Sequence, residues 1–130
     1  NTSINVFSYS DARQTVTIPA NAASATLKFY ANTYSSELAD RPLPDLPNSA
    51  NFGDEVLSED VQYLLILQSE TWIDTLLWQR RSDQTWVSYT YDLKKFAGKT
   101  ISLQFGTFNN GYGGITNMFF DEVTLQVCTP

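Results

Sequence analysis

Histidine is absent from this chain of 130 residues, and cysteine occurs once, at Cys128. The absence of histidine excludes His-based nucleophile triads and His-ligated zinc sites. A single cysteine excludes a disulfide within the chain, and no basic residue lies near it in sequence to activate a thiolate. Because the scattered glutamates are what a soluble surface carries in any case, we predict that the protein is not an enzyme.

Basic residues are also scarce. The chain has 8 Lys and Arg against 14 Asp and Glu, which gives a net charge of −6. Nucleic acid is therefore excluded as a partner, since phosphate binding needs clusters of Lys and Arg. The longest apolar stretch, residues 63–67, is far shorter than the roughly 18 residues of a membrane span, so we predict none.

Charged residues make up only 17% of the chain, so the surface relies on Ser, Thr, Asn and Gln. Such a surface is common in extracellular β-domains, and we predict a secreted or cell-surface protein. The chain begins at Asn1 without an initiator methionine or a signal peptide. We therefore expect it to be a module of a longer protein.

Helical periodicity is nearly absent, and runs of β-branched and aromatic residues separated by turn signals predict about eight strands. They cover residues 3–9, 12–18, 24–34, 60–69, 73–81, 86–92, 99–108 and 116–127. Residues 35–59, with three of the five prolines, predict a long ordered loop. The pattern favours an all-β fold, an antiparallel β-sandwich of jelly-roll type, as a single domain over residues 1–130.

Alternation along the strands assigns side chains to faces. In the third predicted strand, Leu27, Phe29 and Ala31 point to the core, whereas Tyr30 and Asn32 point away from it. The segment QYLLILQ is apolar on both faces, so we expect a central strand or one covered on both sides.

The last predicted strand contains a conflict. In MFFDEVTLQV, simple alternation puts Asp121 on the same face as Phe119, Val123, Leu125 and Val127. A buried, unpaired carboxylate costs several kcal/mol. We therefore expect Asp121 to have a partner, a metal ion or a position at the rim of the sandwich.

Motifs in the second half of the chain resemble a recurrent family of extracellular bacterial β-sandwiches. The segments are DVQYLLIL, DTLLW, WVSYTYDLKKFAGKTISLQFGTFNNG and MFFDEVTL, within residues 60–127. They are similar to the galactose-binding-like and MAM-like jelly rolls, which occur as accessory domains of secreted peptidases, glycosidases and adhesins. The YDL…FAGK corner and the terminal FFDEV carry most of the resemblance, which implies a non-catalytic binding module.

The resemblance also implies a metal. In many such domains an acidic residue of the last strand joins N-terminal backbone carbonyls around a structural Ca²⁺, an ion that takes six to eight oxygen ligands. Asp121 matches that acidic residue, and Asp11 with the backbone near residues 9–11 would supply further ligands. The alternative is a hydrogen-bonded or ion-paired Asp121, with Arg13 as its partner. Either arrangement would join the two ends of the chain.

Aromatic and amide side chains are the candidates for ligand binding, because sugars stack on Trp and Tyr and form hydrogen bonds to amides. Trp72 lies in the turn SETWID, and we expect it to be the exposed tryptophan, with Trp78 and Trp86 in the core or covering a sheet. Residues 105–117 are either a binding loop or a plain hairpin loop. The candidate ligand-binding residues are Trp72, Tyr30, Asn32, Tyr34, Asn109, Asn110 and Tyr112.

Two functions follow from these observations. The first is a carbohydrate- or glycan-binding module, accessory to a larger secreted protein. The second is a structural or adhesive domain that contacts a protein partner or a neighbouring domain. A sugar site needs exposed aromatics beside amides in a groove, whereas a packing module needs a flat apolar patch without convergent polar groups.

Overall fold

The computed structural model describes residues 8–36, 60–109 and 114–130. The strands are β1 (Ser8–Thr17), β2 (Ser24–Ser35), β3 (Val61–Gln68), β4 (Thr71–Gln79), β5 (Trp86–Asp92), β6 (Thr100–Asn109) and β7 (Thr116–Cys128). A single 3₁₀ turn, Lys94–Phe96, precedes β6. No helix within these residues has the length and apolar character needed to cross a membrane.

These strands form two antiparallel sheets, so the predicted β-sandwich is confirmed. The four-stranded sheet has the order β1-β6-β3-β4, and the three-stranded sheet has the order β5-β2-β7. Every connection between consecutive strands changes sheet except the β3–β4 hairpin, which is the wrapping that a jelly roll requires.

The strand count differs from the prediction at the start of the chain. The described residues form seven strands rather than about eight, because β1 runs unbroken through the gap between the first two predicted strands. Most of the predicted loop over residues 35–59 lies outside the described residues.

The main core lies between the two sheets, and its β2 face is the one predicted from alternation. Leu27, Phe29 and Ala31 are fully buried. The Phe29 ring meets the Phe105 ring edge to face at 5.0 Å between centroids, and Phe105 also stacks on Phe120 at 4.6 Å. Burying such large apolar side chains is a main source of the stability of this core.

A second apolar cluster lies on the outer face of the four-stranded sheet. Its members are at most 9% exposed and come from β3, β4 and β6: Val61, Tyr63, Leu65, Leu67, Trp72 and Phe108. Strand β3 is therefore central and buried on both faces, as predicted. The Tyr63 ring lies against Gly106, where a Cβ atom would come within 2.5 Å of it.

Gln62 joins the two sheets at one end of the sandwich. Its side chain is fully buried, and its Nε2 donates to the carbonyl oxygens of Arg81 and Asn117, both at 2.9 Å. Its Oε1 accepts the Arg81 N–H at 3.0 Å. This buried amide is satisfied at both ends, so the polar group stabilises the junction instead of weakening it.

Strand β7 contains a β-bulge where it pairs with β2. Lys28 lies opposite Thr124 and Tyr30 lies opposite Asp121, so two β7 residues face the single residue between Lys28 and Tyr30. One of the two, Glu122, has a φ of +52°, a conformation that residues other than glycine rarely adopt.

The bulge shifts the alternation of β7 by one residue. Before it, Met118 and Phe120 pack against the main core; after it, Leu125 and Val127 do. The expectation that Asp121 shares the core face is therefore wrong, because the extra residue turns it outward. Counting every second residue back from Leu125 and Val127 misses this shift, because the count passes through the bulge.

Candidate functional site

The outer face of the three-stranded sheet, here called the open face, presents aromatic side chains to solvent. Two rows of paired residues cross it: Trp86–Asn32–Phe119 and Ser88–Tyr30–Asp121. Trp86 is 51% exposed, Phe119 63% and the adjacent Tyr34 40%. Large aromatic side chains gathered on one solvent-facing surface are the unusual feature here, since single exposed apolar residues are normal.

The predicted outward orientation of Tyr30 and Asn32 is confirmed, and Tyr34 of the same strand shares it. Tyr30, Asn32 and Tyr34 all lie on the open face, opposite the core-facing residues of the same strand. The structure thus brings these three candidate ligand-binding residues together on one surface.

A shallow depression of about 240 Å³ lies on the open face, lined by Tyr30, Trp86, Asp121 and Glu122. Enclosing pockets for drug-sized ligands are larger, roughly 300–1,000 Å³. The depression therefore suits one unit of an extended ligand that lies across the sheet, with most of that ligand resting on the open surface.

The bulge in β7 puts two carboxylates at this depression. The Glu122 N–H donates to Asp121 Oδ1 at 2.8 Å, which stabilises the left-handed backbone at Glu122. Bulges often occur beside functional sites, where they redirect a side chain. Here the bulge moves Asp121 from the core side of β7 to the side that carries Tyr30.

A cation already contacts one of the aromatic rings. Lys28 Nζ lies 5.6 Å from the centroid of the Tyr30 ring. This distance is within the roughly 6 Å range of a cation–π interaction. Lys28 belongs to the next row of the open face, opposite Thr90 and Thr124.

The segment that leads into Trp86 is anchored to β2. Thr33 Oγ1 accepts the Asp83 N–H at 3.0 Å and donates to Asp83 Oδ2 at 3.2 Å, while the Gln84 N–H donates to Thr33 O at 2.9 Å. The Arg81 guanidinium contacts both Asp83 oxygens at 3.0 Å. These contacts hold the residues before Trp86 in place.

The pKa of the Asp83 carboxyl lies below its ordinary value. The main cause is the hydrogen bond from Arg81; the positive charge of Arg81 and the Thr33 hydroxyl add to it, and burial opposes it. The same pairing raises the pKa of Arg81. The pair is thus charged at neutral pH and adds to the anchoring of this segment.

The sequence prediction chose the wrong tryptophan. Trp72 is only 9% exposed, and its Nε1 donates to Asp74 O at 2.8 Å and Thr75 Oγ1 at 3.0 Å. Trp86, expected in the core or over a sheet, is instead the most exposed indole in the described residues. Strand alternation could have predicted this exposure. If Tyr89 of β5 points to the core, then Trp86, three residues earlier, points to solvent.

Asn109, another candidate, closes the β6–β7 connection. Its Nδ2 donates to Thr116 O at 3.0 Å, and its Oδ1 accepts the Thr116 N–H at 2.8 Å. Both ends of its amide are therefore bound to backbone. Asn110 and Tyr112 lie outside the described residues.

The two proposed calcium ligands do not meet. Asp11 lies on the outer face of the four-stranded sheet, where its Oδ2 accepts from Gln104 Nε2 at 2.7 Å. Asp121 lies on the open face of the other sheet. These surfaces are on opposite sides of the sandwich, because β1 pairs with β6 whereas β7 pairs with β2, so the structure does not bring Asp11 and Asp121 together.

Arg13, the alternative partner of Asp121, contacts a different acidic residue. Arg13 Nη1 donates to Glu70 Oε2 at 2.7 Å, on the same surface as Asp11. Among the residues that the structure describes, no three Asp, Glu or Cys side chains are grouped closely enough to hold a metal ion. Calcium binding stays a prediction, and the placement of Asp11 and Asp121 does not support it.

No protein-family model matches the chain, and no curated protein matches it either. The chemistry of the open face is therefore what indicates a function.

Proposed function

We propose that this chain is a non-catalytic glycan-binding module whose ligand lies on the open face of the three-stranded sheet. The observation that carries the proposal is Trp86, half exposed at the edge of the depression that Tyr30, Asp121 and Glu122 complete. Indole and phenol rings offer the flat apolar surface on which a sugar ring stacks.

Polar groups beside these rings support a sugar ligand over a plain apolar contact. Asn32 lies between Trp86 and Phe119 in the same row, and the Asp121 and Glu122 carboxylates line the depression. Such groups form hydrogen bonds to hydroxyls and orient the ligand. The backbones at Trp86 and Phe119 are two strand spacings apart, roughly 10 Å, which suits an elongated ligand.

The wider context is part of the same proposal. The similarity of residues 60–127 to galactose-binding-like modules, together with the low charged fraction of 17%, supports an accessory role outside the cell. The module would then hold a larger secreted or cell-surface protein against a glycan.

A glycan array followed by calorimetric titration of the best ligand tests the proposal. We expect Trp86→Ala to weaken binding at least about tenfold, because it removes the stacking surface. Ile73→Ala is the matched control, since Ile73 is 39% exposed on β4 of the other sheet, and we expect no change.

Two outcomes would contradict the proposal. One is a folded protein that binds no polysaccharide; the other is an equal loss of affinity in the Trp86 and Ile73 variants. Phe119, 63% exposed and without a polar group, favours the second candidate function, contact with a protein partner. In that case Phe119→Ala would abolish partner capture, and no glycan would compete.

A further inference from the structure

We infer that the open face selects glycans that carry protonated amino groups, such as polymers of glucosamine, over neutral and acidic glycans. This inference rests on the proposed function and specifies its ligand class. It is drawn from the chemistry of the depression, whose four lining residues are two aromatic rings and two carboxylates.

Rings and carboxylates together favour a cation. An ammonium group is attracted to the face of an indole or phenol ring, most strongly to Trp. Asp121 and Glu122 add two negative charges at the same depression. A neutral sugar would stack on the rings and form hydrogen bonds to the carboxylates without any attraction between charges, and a uronic acid would be repelled by the carboxylates.

The chain itself contains an example of this recognition. Lys28 places its ammonium 5.6 Å from the Tyr30 ring centroid, one row away from Asp121. A ligand ammonium in the depression would share the Tyr30 ring with Lys28 and would experience repulsion from it. Removing the Lys28 charge should therefore tighten binding of an aminated glycan.

Three β-1,4-linked hexamers of equal length separate the possibilities: glucosamine, N-acetylglucosamine and glucose. We expect the glucosamine hexamer to bind at least about tenfold more tightly than the other two, since only it carries ammonium groups. Its affinity should fall as sodium chloride rises from about 20 mM to about 500 mM, because salt screens exposed charges.

Conservative variants localise the effect. Asp121→Asn keeps an oxygen for the Glu122 N–H and for ligand hydroxyls, and we expect it to weaken the glucosamine hexamer about fivefold more than the glucose hexamer. Glu122→Gln should act similarly, and Lys28→Met should strengthen binding about twofold to fivefold. Glu70→Gln removes a carboxylate charge in the β3–β4 turn of the other sheet, and it should not change the affinity for any hexamer.

The outcomes distinguish this inference from the proposed function. Equal affinities for the three hexamers, or tighter binding of a neutral one, would overturn the selectivity and leave glycan binding intact. No binding of any hexamer or array glycan would overturn both. A Glu70→Gln loss equal to that of Asp121→Asn, or equally tight binding of a lysine hexamer, would show attraction by net charge alone and overturn the site.

Discussion

The outer faces of the two sheets have opposite characters. On the four-stranded sheet, Leu65 and Trp72 belong to an apolar cluster that is almost wholly buried. On the three-stranded sheet, Trp86 and Phe119 lie more than half exposed beside carboxylates and an amide. Both faces are rich in large side chains, so composition alone does not distinguish them.

The difference separates a structural surface from a functional one. A buried apolar cluster contributes to folding, because its surface is removed from water. Exposed aromatic side chains contribute little to folding, since they have not left water. Four tests examine whether the two faces differ in this way.

The largest effect is expected from truncating matched residues on the two outer faces. Leu65→Ala should lower the free energy of unfolding by about 2–5 kcal/mol, because Leu65 is only 1% exposed. Phe119→Ala removes a larger side chain but should change it by no more than about 0.5 kcal/mol. Urea denaturation measures both, and equal costs would remove the distinction between the faces.

A smaller loss of stability is expected from a substitution at Gly106, beneath the apolar cluster on the outer face of the four-stranded sheet. Gly106→Ala would place a Cβ atom 2.5 Å from the Tyr63 ring and should destabilise the protein by about 1–3 kcal/mol. In a Tyr63→Ala background the same change should cost less than about 0.5 kcal/mol, since the clash is gone. Denaturation of the four proteins gives the coupling, and an unchanged cost would rule out the contact.

The bulge beneath the open face should show opposite effects at neighbouring residues. Glu122 has a positive φ of +52°, which strains a residue with a Cβ atom. Glu122→Gly removes that strain and should stabilise the protein by up to about 1 kcal/mol. Val123→Gly, at the adjacent residue of the same bulge, should destabilise it by about 0.5–1 kcal/mol. Thermal unfolding compares the two, and destabilisation by both would contradict the strained conformation.

The smallest effect is expected for the pH dependence of the stability that Asp83 contributes in the segment before Trp86. Because the folded-state pKa of Asp83 is lowered, its stabilisation is present above the unfolded value of about 3.9 and is lost as pH falls through the folded pKa. The stability difference from Asp83→Asn should be under about 1 kcal/mol at pH 7 and should shrink below about pH 4. A difference that stays constant from neutral to acid pH would contradict the Arg81–Asp83 pairing.

Sequence patterns predicted the inward faces well, because alternation is a local property. The positions of Leu27 and Phe29 follow from their immediate neighbours. The orientation of Asp121 does not, since it depends on how β7 pairs with β2 across the bulge. The separation of Asp11 from Asp121 likewise depends on which sheet each end of the chain joins, which no local pattern encodes.

The β7 bulge also has a consequence for sequence change by insertion and deletion. Losing one residue between Asp121 and Thr124 would restore regular pairing with β2 while Leu125 and Val127 kept their places in the core. The segment before it would also keep its faces, with Phe120 inward and Phe119 outward, because Asp121 would stay opposite Tyr30. Loss of a single codon at this point would therefore remove the bulge and leave the same surface displayed.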